Sequence, residues 1–392
     1  MSSTPKINIA VVSNTSWSVF NFRKGLLKKL ISAGYNVFAI APRDEFVPEI
    51  EALGCTFIEL KNINNKGKNP LEDILLTLEL RRIFKSNNLG FCFFFTPKIN
   101  IYGCLATKFT QIKVIATING LGFVFNEDQN KWLKFTVKKL YRLAFKNLEA
   151  IFFQNSDDKA YFLQNNIIDK AQKIVVVKGS GANLIEFNQK RDFNTNDKLV
   201  FLVSSRLIKE KGIYEYFEAA KNLKPKYPSV TFALLGLQAN NPSAIPISVI
   251  NKMHEQNIID YWGVSNNMSD ILNKVDVMVL PSFYREGIPK ILIEGLAKGI
   301  PIITTNNVGC RETVENGKNG FLIEVKNSYA LEIAIEKMIT MPHSELELMG
   351  NYSRNKAEKE FDEDINHEAY LDILKPAVFF ARSMDINYKP QV

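Results

Sequence analysis

Along this chain short apolar runs alternate with segments whose apolar residues recur every three or four positions. Runs of the first kind, closed by small polar residues, predict buried strands; the second kind predicts helices with one face on a core. The runs are 6–13 (KINIAVVS), 35–42, 55–60, 90–96 (GFCFFFT), 113–120 (KVIATING), 150–155 and 173–179. A helix over 20–33 and an acidic helix from Glu45 fall between the first three, so the order is βαβαβ and predicts a doubly wound parallel sheet. A polar stretch at 186–198 (EFNQKRDFNTNDK) reads as a linker, and the pattern then restarts. Strands are predicted at 199–205, 230–236, 258–263, 276–282, 301–305 and 320–325, with one helix from Gly212 and another from Ile288. The chain is therefore predicted as α/β, with two Rossmann-like doubly wound domains. The first spans residues 1–190 and is rejoined by a C-terminal helix at about 375–392; the second spans 191–374. Ligands of such sheets bind beyond the C-terminal strand edges, so a cleft between two such edges is the expected site.

Composition agrees with two globular cores: 46% of the 392 residues are hydrophobic and 23% charged, which excludes a disordered or fibrous chain. Cys55, Cys92, Cys104 and Cys310 stand far apart without CxxC or Cys/His spacing, and read as reduced, small apolar residues. The N-terminus lacks the pattern of a signal peptide, and no apolar run approaches the roughly 20 residues of a spanning helix. A cytoplasmic protein is expected.

Charge changes the picture. The net charge is +8, but residues 1–190 hold 26 Lys and Arg against 15 Asp and Glu, whereas residues 191–392 hold 23 against 26. The first half alone, at +11, is predicted to approach an anionic surface. In NKWLKFTVKKLYRLAFKN the cations Lys131, Lys134, Lys138, Arg142 and Lys146 recur at three- and four-residue steps, with Trp132, Leu133, Phe135, Leu140 and Phe145 elsewhere on the helix. Such a basic amphipathic helix suits the anionic headgroups of a membrane, and Arg23, Lys24, Lys28 and Lys29 would enlarge the patch. An ordinary surface helix with solvated lysines fits the same pattern.

Candidate chemistry is concentrated in SFYREGIPKILIEGLAKGIPIITT (282–305). Glu286 and Gly287 lie in the loop after a predicted strand, Pro289 suits the first turn of a helix, and Ile291, Leu292, Leu296 and Ile300 make its apolar face. Glu294 lies off that stripe. The two carboxylates can be up to about 12 Å apart along the helix axis, too far to flank one bond as glycosidase pairs do. They suit two parts of a long ligand, with the helix N-terminus offering N–H groups to an anion between them. Arg206 and Lys211, in the loop after the first strand of the second domain, add bidentate and point-charge contacts for a phosphate. A nucleotide sugar, with hydroxyl-rich groups on either side of a diphosphate, meets all these requirements. Solvated loop cations are the bland alternative.

SSRLIKEKG, REGIPKILIEGLAKGIPIITT and GCRE (309–312), taken together, resemble the donor-binding domain of family-4 retaining glycosyltransferases of the GT-B fold, and the two glutamates match its E-x7-E motif. TINGLGFVF (117–125) is similar to the loop of bacterial members that build O-antigen, capsule or lipid-linked oligosaccharides, and KGSGAN (178–183) to the turn closing their first domain. The resemblance implies that Arg206 and Lys211 bind the diphosphate, Glu286 the donor sugar and Glu294 the ribose. The backbone at Gly287, Ile288 and Pro289 would meet sugar and phosphates, with Glu286, Arg206 and Lys211 as the catalytic set. Asn14, Thr15, Asn119, Gly120 and Gly122 would line the acceptor side. Two departures stand out: SNTSWS (13–18) replaces a Gly-Gly pair, and Asn119 stands where many relatives carry His. His254, His343 and His367 lie near no motif and read as surface or packing residues.

The resemblance further implies a retaining, front-face transfer in which the leaving phosphate helps to deprotonate the acceptor. No metal or other cofactor is expected, because the Asp-x-Asp formed by Asp362 and Asp364 falls in a C-terminal helical region. The expected partners are a UDP-sugar carrying an N-acetylhexosamine or a uronic or deoxy relative, a polyprenyl-diphosphate-linked glycan, and the inner face of the cell membrane. The helix expected at 370–384 would bend at Pro376. A UDP-sugar 2-epimerase of the same architecture and a non-catalytic membrane-bound scaffold are the alternatives. The absence of G-x-G-x-x-G after the first strand argues against a NAD-dependent oxidoreductase, and the lack of recognition modules argues against a nucleic-acid binder. The pattern leaves the oligomeric state open.

Overall fold

The computed structural model describes residues 6–64, 69–121, 125, 130–189, 193–194, 198–238 and 242–386, the last eleven by backbone alone. Two compact units divide the chain: Met1–Ser180 with Asp364–Val392, and Gly181–Glu363.

In the first unit seven parallel strands, β1 (Asn8–Val12), β2 (Asn36–Ala41), β3 (Thr56–Glu59), β4 (Phe91–Phe95), β5 (Lys113–Ile118), β6 (Ala150–Phe153) and β7 (Ile174–Val176), lie in the order β3-β2-β1-β4-β5-β6-β7. Their side chains alternate between two buried faces. Ile9, Val11, Phe91, Phe93 and Phe95 join one core, while Ala10, Val12, Cys92 and Phe94 join the other, as a parallel sheet covered on both sides requires. The crossovers carry α1 (Ser16–Ser32), α2 (Val47–Ala52), α3 (Pro70–Ser86), α4 (Cys104–Ala106), α5 (Lys131–Ala144) and α6 (Ser156–Gln164). α1 begins four residues before the predicted position, because the Thr15 hydroxyl accepts the Ser18 N–H and caps it there.

The second unit repeats the plan with β8 (Val200–Ser204), β9 (Thr231–Leu235), β10 (Asp260–Tyr261), β11 (Val277–Leu280), β12 (Ile302–Thr305) and β13 (Gly320–Ile323), in the order β10-β9-β8-β11-β12-β13. Its helices are α7 (Ile213–Leu223), α8 (Ile247–Glu255), α9 (Met268–Leu272), α10 (Lys290–Ala297), α11 (Ser328–Thr340) and α12 (His343–Lys356). The last helix, α13 (Glu363–Ile386), runs through Pro376.

The boundaries differ from 190/191 and 374/375, and packing gives the reason. Ala182 and Phe187 join the second core beside Ala357 and Phe361, so residues 181–189 belong with the second unit. Asn194, from the stretch read as linker, donates its backbone and side-chain N–H to Asp276 at 3.0 and 2.7 Å. Tyr370, Ile373 and Leu374 bury themselves in the first unit, where the Tyr370 ring stacks on Phe152 at 4.2 Å. α13 therefore joins the first unit about ten residues earlier than expected.

Each sheet has one place where consecutive strands depart in opposite directions. In the first unit it lies between β1 and β4, and in the second between β8 and β11. Diverging connections leave a crevice at such points, where doubly wound sheets take their ligands.

Candidate functional site

At the β8/β11 switch point the loops of three strands are tied together. Gly212 opens α7 with φ +74°, and a Cβ there would come within 2.1 Å of the Pro281 carbonyl oxygen, so only glycine lets the β8 loop lie against the end of β11. The Glu210 carbonyl accepts the N–H groups of Phe283 and Tyr284 at 2.9 and 3.1 Å and the Ser282 hydroxyl at 3.2 Å. Lys211 is thereby brought onto Glu286, where its ammonium donates to Oε1 in an ion pair. The Ser282 hydroxyl lies 3.3 Å from the same oxygen. Above the pair, the Tyr284 ring faces both cations, with Arg206 Cζ 5.7 Å and Lys211 Nζ 5.8 Å from its centroid. Two of the three residues expected to do the chemistry thus face one aromatic ring, and the third, Glu286, is paired with one of them.

The β12 loop clamps this arrangement from the other side. Thr305 donates its hydroxyl to the Ser282 carbonyl, and Asn307 donates its amide to the Tyr284 carbonyl at 2.8 Å. Gly309, with φ +81°, lies so close that a Cβ would fall 1.6 Å from the Gly287 oxygen. The glycine of GCRE therefore has a physical role: it admits the backbone that carries Glu286.

α10 leads away from the site. Pro289 is its N-cap rather than a first-turn residue. Gly287, Ile288 and Pro289 are buried, and Ile288 belongs to the core, so their backbone rather than their side chains can face a ligand. Glu294 is buried one turn into the helix, with Lys290 3.4 Å away. Burial pushes its carboxyl above the usual carboxylate range, and Lys290 only partly opposes this. Arg206 is exposed on its loop, whereas Glu286 is half-buried.

Sequence reasoning missed Ser282, Tyr284 and Asn307. The first two follow the β11 run directly and could have been found from the switch-point rule. Asn307 carries no local signal, since its role depends on where β12 ends beside β11.

In the first unit the predicted acceptor residues lie at the β1 and β5 ends. Thr15 is committed to capping α1, and Asn14 and Gly120 are partly exposed. Asn119 accepts a hydrogen bond from Arg23 at 3.2 Å. Gly122 lies outside the described residues. Arg23 is no part of a surface patch, as it is buried with its guanidinium 3.9 Å from the Phe95 ring centroid. Lys29 is paired with Asp364 at 3.2 Å, which also accounts for the acidic start of α13.

The basic helix exists as α5, but its cations are distributed differently. Lys138 donates to Asn165 at 2.7 Å, and Arg142 donates to the carbonyls of Asn166 and Asn165 at 2.7 and 3.1 Å, which fastens this side to the loop after α6. Lys146 lies beyond the helix end, Lys131 at its exposed start, and Lys134 is half-buried. The outward stripe is Trp132, Phe135, Lys139 and Leu143; Trp132 is 76% exposed and Lys139 stands over the Phe135 ring at 4.5 Å. Among the described residues no helix is long and apolar enough to cross a membrane.

Two family models cover most of the chain: "Glycosyl transferase 4-like" matches residues 8–155, and "Glycosyl transferases group 1" matches residues 185–356. The N,N'-diacetylbacillosaminyl-diphospho-undecaprenol alpha-1,3-N-acetylgalactosaminyltransferase of Campylobacter jejuni is 28% identical over 381 residues, covering 94% of this chain and 98% of its own. The UDP-Gal:alpha-D-GlcNAc-diphosphoundecaprenol alpha-1,3-galactosyltransferase of Escherichia coli is 24% identical over 297 residues, 73% of this chain and 75% of its own. Among solved structures, a glycosyltransferase from Rickettsia africae superposes with a TM-score of 0.76 at 22% identity, covering 95% of this chain and 99% of the other.

Proposed function

Because the chain belongs to the family-4 type of GT-B glycosyltransferases, we propose that it transfers a hexosyl unit from a UDP-sugar to a glycan carried on a polyprenyl diphosphate, with retention and without a metal ion. The observation that carries the donor half is the Lys211–Glu286 pair beneath Tyr284 at the β8/β11 switch point. Arg206 and Lys211 bind the diphosphate, Glu286 takes hydroxyl hydrogen bonds from the donor sugar, and Glu294 holds the ribose. As the bond from the anomeric carbon to the diphosphate breaks, Arg206 and Lys211 stabilise the charge gathering on the leaving oxygen. The acceptor hydroxyl forms the new bond on the same face and passes its proton to that leaving phosphate, which departs as UDP. Arriving phosphate oxygens share Lys211, and Glu286 is then free to turn a carboxylate oxygen toward the sugar.

Three lines support the substrate classes. The Campylobacter relative is named for an acceptor on diphospho-undecaprenol, and the Escherichia relative for a UDP-Gal donor with an acceptor on the same carrier. The excess of cations in the first half suits an anionic membrane that presents such a carrier. The face that meets it is the outward stripe of α5, where Trp132, Phe135 and Leu143 supply apolar area and Lys139 the charge. The donor sugar is an N-acetylhexosamine or a uronic or deoxy relative, and the work takes place at the cytoplasmic face in the assembly of O-antigen, capsule or a related glycan.

Thermal stabilisation by nucleotides tests the donor assignment. UDP and one UDP-sugar are expected to raise the melting temperature equally with and without EDTA, by about 2.7 kcal/mol of stability when the ligand is at about 100 Kd. No shift with any uridine nucleotide would refute the assignment of Arg206, Lys211 and Glu286.

A further inference from the structure

The two switch points differ in how their cations are compensated. In the second unit Lys211 faces Glu286. In the first unit Arg23, seven residues past the start of α1, lies over Phe95, the last residue of β4. Only 6% of Arg23 is exposed. Its Nη2 donates to Asn119, which follows β5, while its Nε has no hydrogen-bond partner among the described residues. Among the described residues the titratable group that acts on it is the Tyr370 hydroxyl, itself 2.9 Å from the Thr117 hydroxyl. His367, also buried, feels the charge of Arg23.

A buried guanidinium is costly unless an anion accepts its hydrogen bonds, and an aromatic face with one neutral amide offsets only part of that cost. Burial accordingly lowers the pKa of Arg23 below its ordinary value. A fold that retains such a group at the switch point of a doubly wound sheet keeps a positive charge where that topology receives ligands. We infer that Arg23, held by Phe95 and Asn119, is an anion-binding residue of the first unit and takes a phosphate-class group of the acceptor. This rests on the reading of the acceptor as diphosphate-linked. Since Arg23 would touch the ligand, it joins Asn119 and Gly120 on the acceptor side, and it supplies the cation that the residues picked from the sequence lack.

The test uses the full chain saturated with UDP, so that Arg206 and Lys211 are occupied, and calorimetric titration with inorganic pyrophosphate, farnesyl diphosphate and farnesol. Farnesyl diphosphate is expected to bind and farnesol not. Binding by pyrophosphate as well would identify a free anion as sufficient; binding by farnesyl diphosphate alone would identify the lipid headgroup. Arg23→Met is expected to weaken binding by about 10- to 100-fold, the worth of a charge-assisted hydrogen bond. Should that variant fail to fold, Asn119→Asp serves instead: it places a carboxylate against Arg23, and is expected to raise the melting temperature while abolishing anion binding. Unchanged affinity in both variants, or no binding of either phosphate probe by the UDP-loaded protein, overturns the inference. The acceptor reading fails separately. If the wild type binds farnesyl diphosphate through Arg23 but glycosylates no prenyl-diphosphate-linked glycan, the site stands and that reading falls. If Arg23→Met glycosylates such a glycan with an unchanged acceptor KM, the reading stands and the site falls.

Discussion

Replacing Lys211 by Met would leave the Glu286 carboxylate half-buried with the Ser282 hydroxyl as its remaining hydrogen-bond partner among the described residues. The side chains of the pair are only 10% and 14% exposed, so water compensates little. Removing one partner of a buried pair costs about 3–5 kcal/mol, and the residual exposure places this case near the lower end, at about 3 kcal/mol. For a unit of this size each kcal/mol moves the melting temperature by about 2–4 °C, so the transition of the second unit should fall by about 6–12 °C. Lys211→Met/Glu286→Gln leaves neither charge uncompensated and should recover most of the loss. Under the proposed donor assignment neither variant should transfer sugar or be stabilised by UDP, because both lack the cation assigned to the diphosphate. Scanning calorimetry, following the transition that UDP moves in the wild type, measures all three proteins. A single variant that melts within about 2 °C of wild type, or a double variant no more stable than the single, would refute the claim that the pair is electrostatically coupled and poorly solvated.

Four further outcomes follow from particular contacts. Glu294 has a raised carboxyl pKa because it is buried, so ionising it costs stability that is lost as pH rises from the ordinary carboxylate range through the raised value. Glu294→Gln should therefore melt higher than wild type at pH 7.5 and equally near pH 4, while binding UDP more weakly; melting curves at the two pH values decide. Burial lowers the His367 pKa to about 4, so the neutral ring contributes stability above its ordinary pKa of 6.5 that is lost as pH falls toward 4. The loss amounts to roughly 3 kcal/mol, and His367→Gln should flatten that stretch of the first unit's stability profile. Gly309→Ala combines strain of about 1–3 kcal/mol at φ +81° with a collision against the Gly287 oxygen, and should displace Glu286 and abolish transfer, which a turnover assay would register. Trp132→Ser with Phe135→Ser should abolish sedimentation with anionic vesicles and Lys139→Glu should weaken it; unchanged sedimentation would remove the lipid role of α5.

Both sheets were legible along the chain because a strand buried on two faces must be a near-continuous apolar run, and GFCFFFT is such a run without a tertiary partner in view. The gathering of Arg206, Lys211 and Glu286 at one sheet edge was legible for a related reason: they follow strand ends, and parallel sheets collect strand ends on one edge. Tertiary structure decided which strand ends become neighbours. The order β9-β8-β11-β12 puts Lys211 on Glu286 and brings Asn307 and Gly309 against the same loop, contacts between residues up to 75 positions apart that no local pattern records. It also decided which cations are surface charges. Arg23, Lys138 and Arg142 look alike in sequence, but Arg23 lies beneath the sheet edge against Phe95, and the other two are fastened to the loop after α6. Periodicity assigns a side chain to a face of its helix, whereas burial and charge compensation depend on what the fold packs against that face.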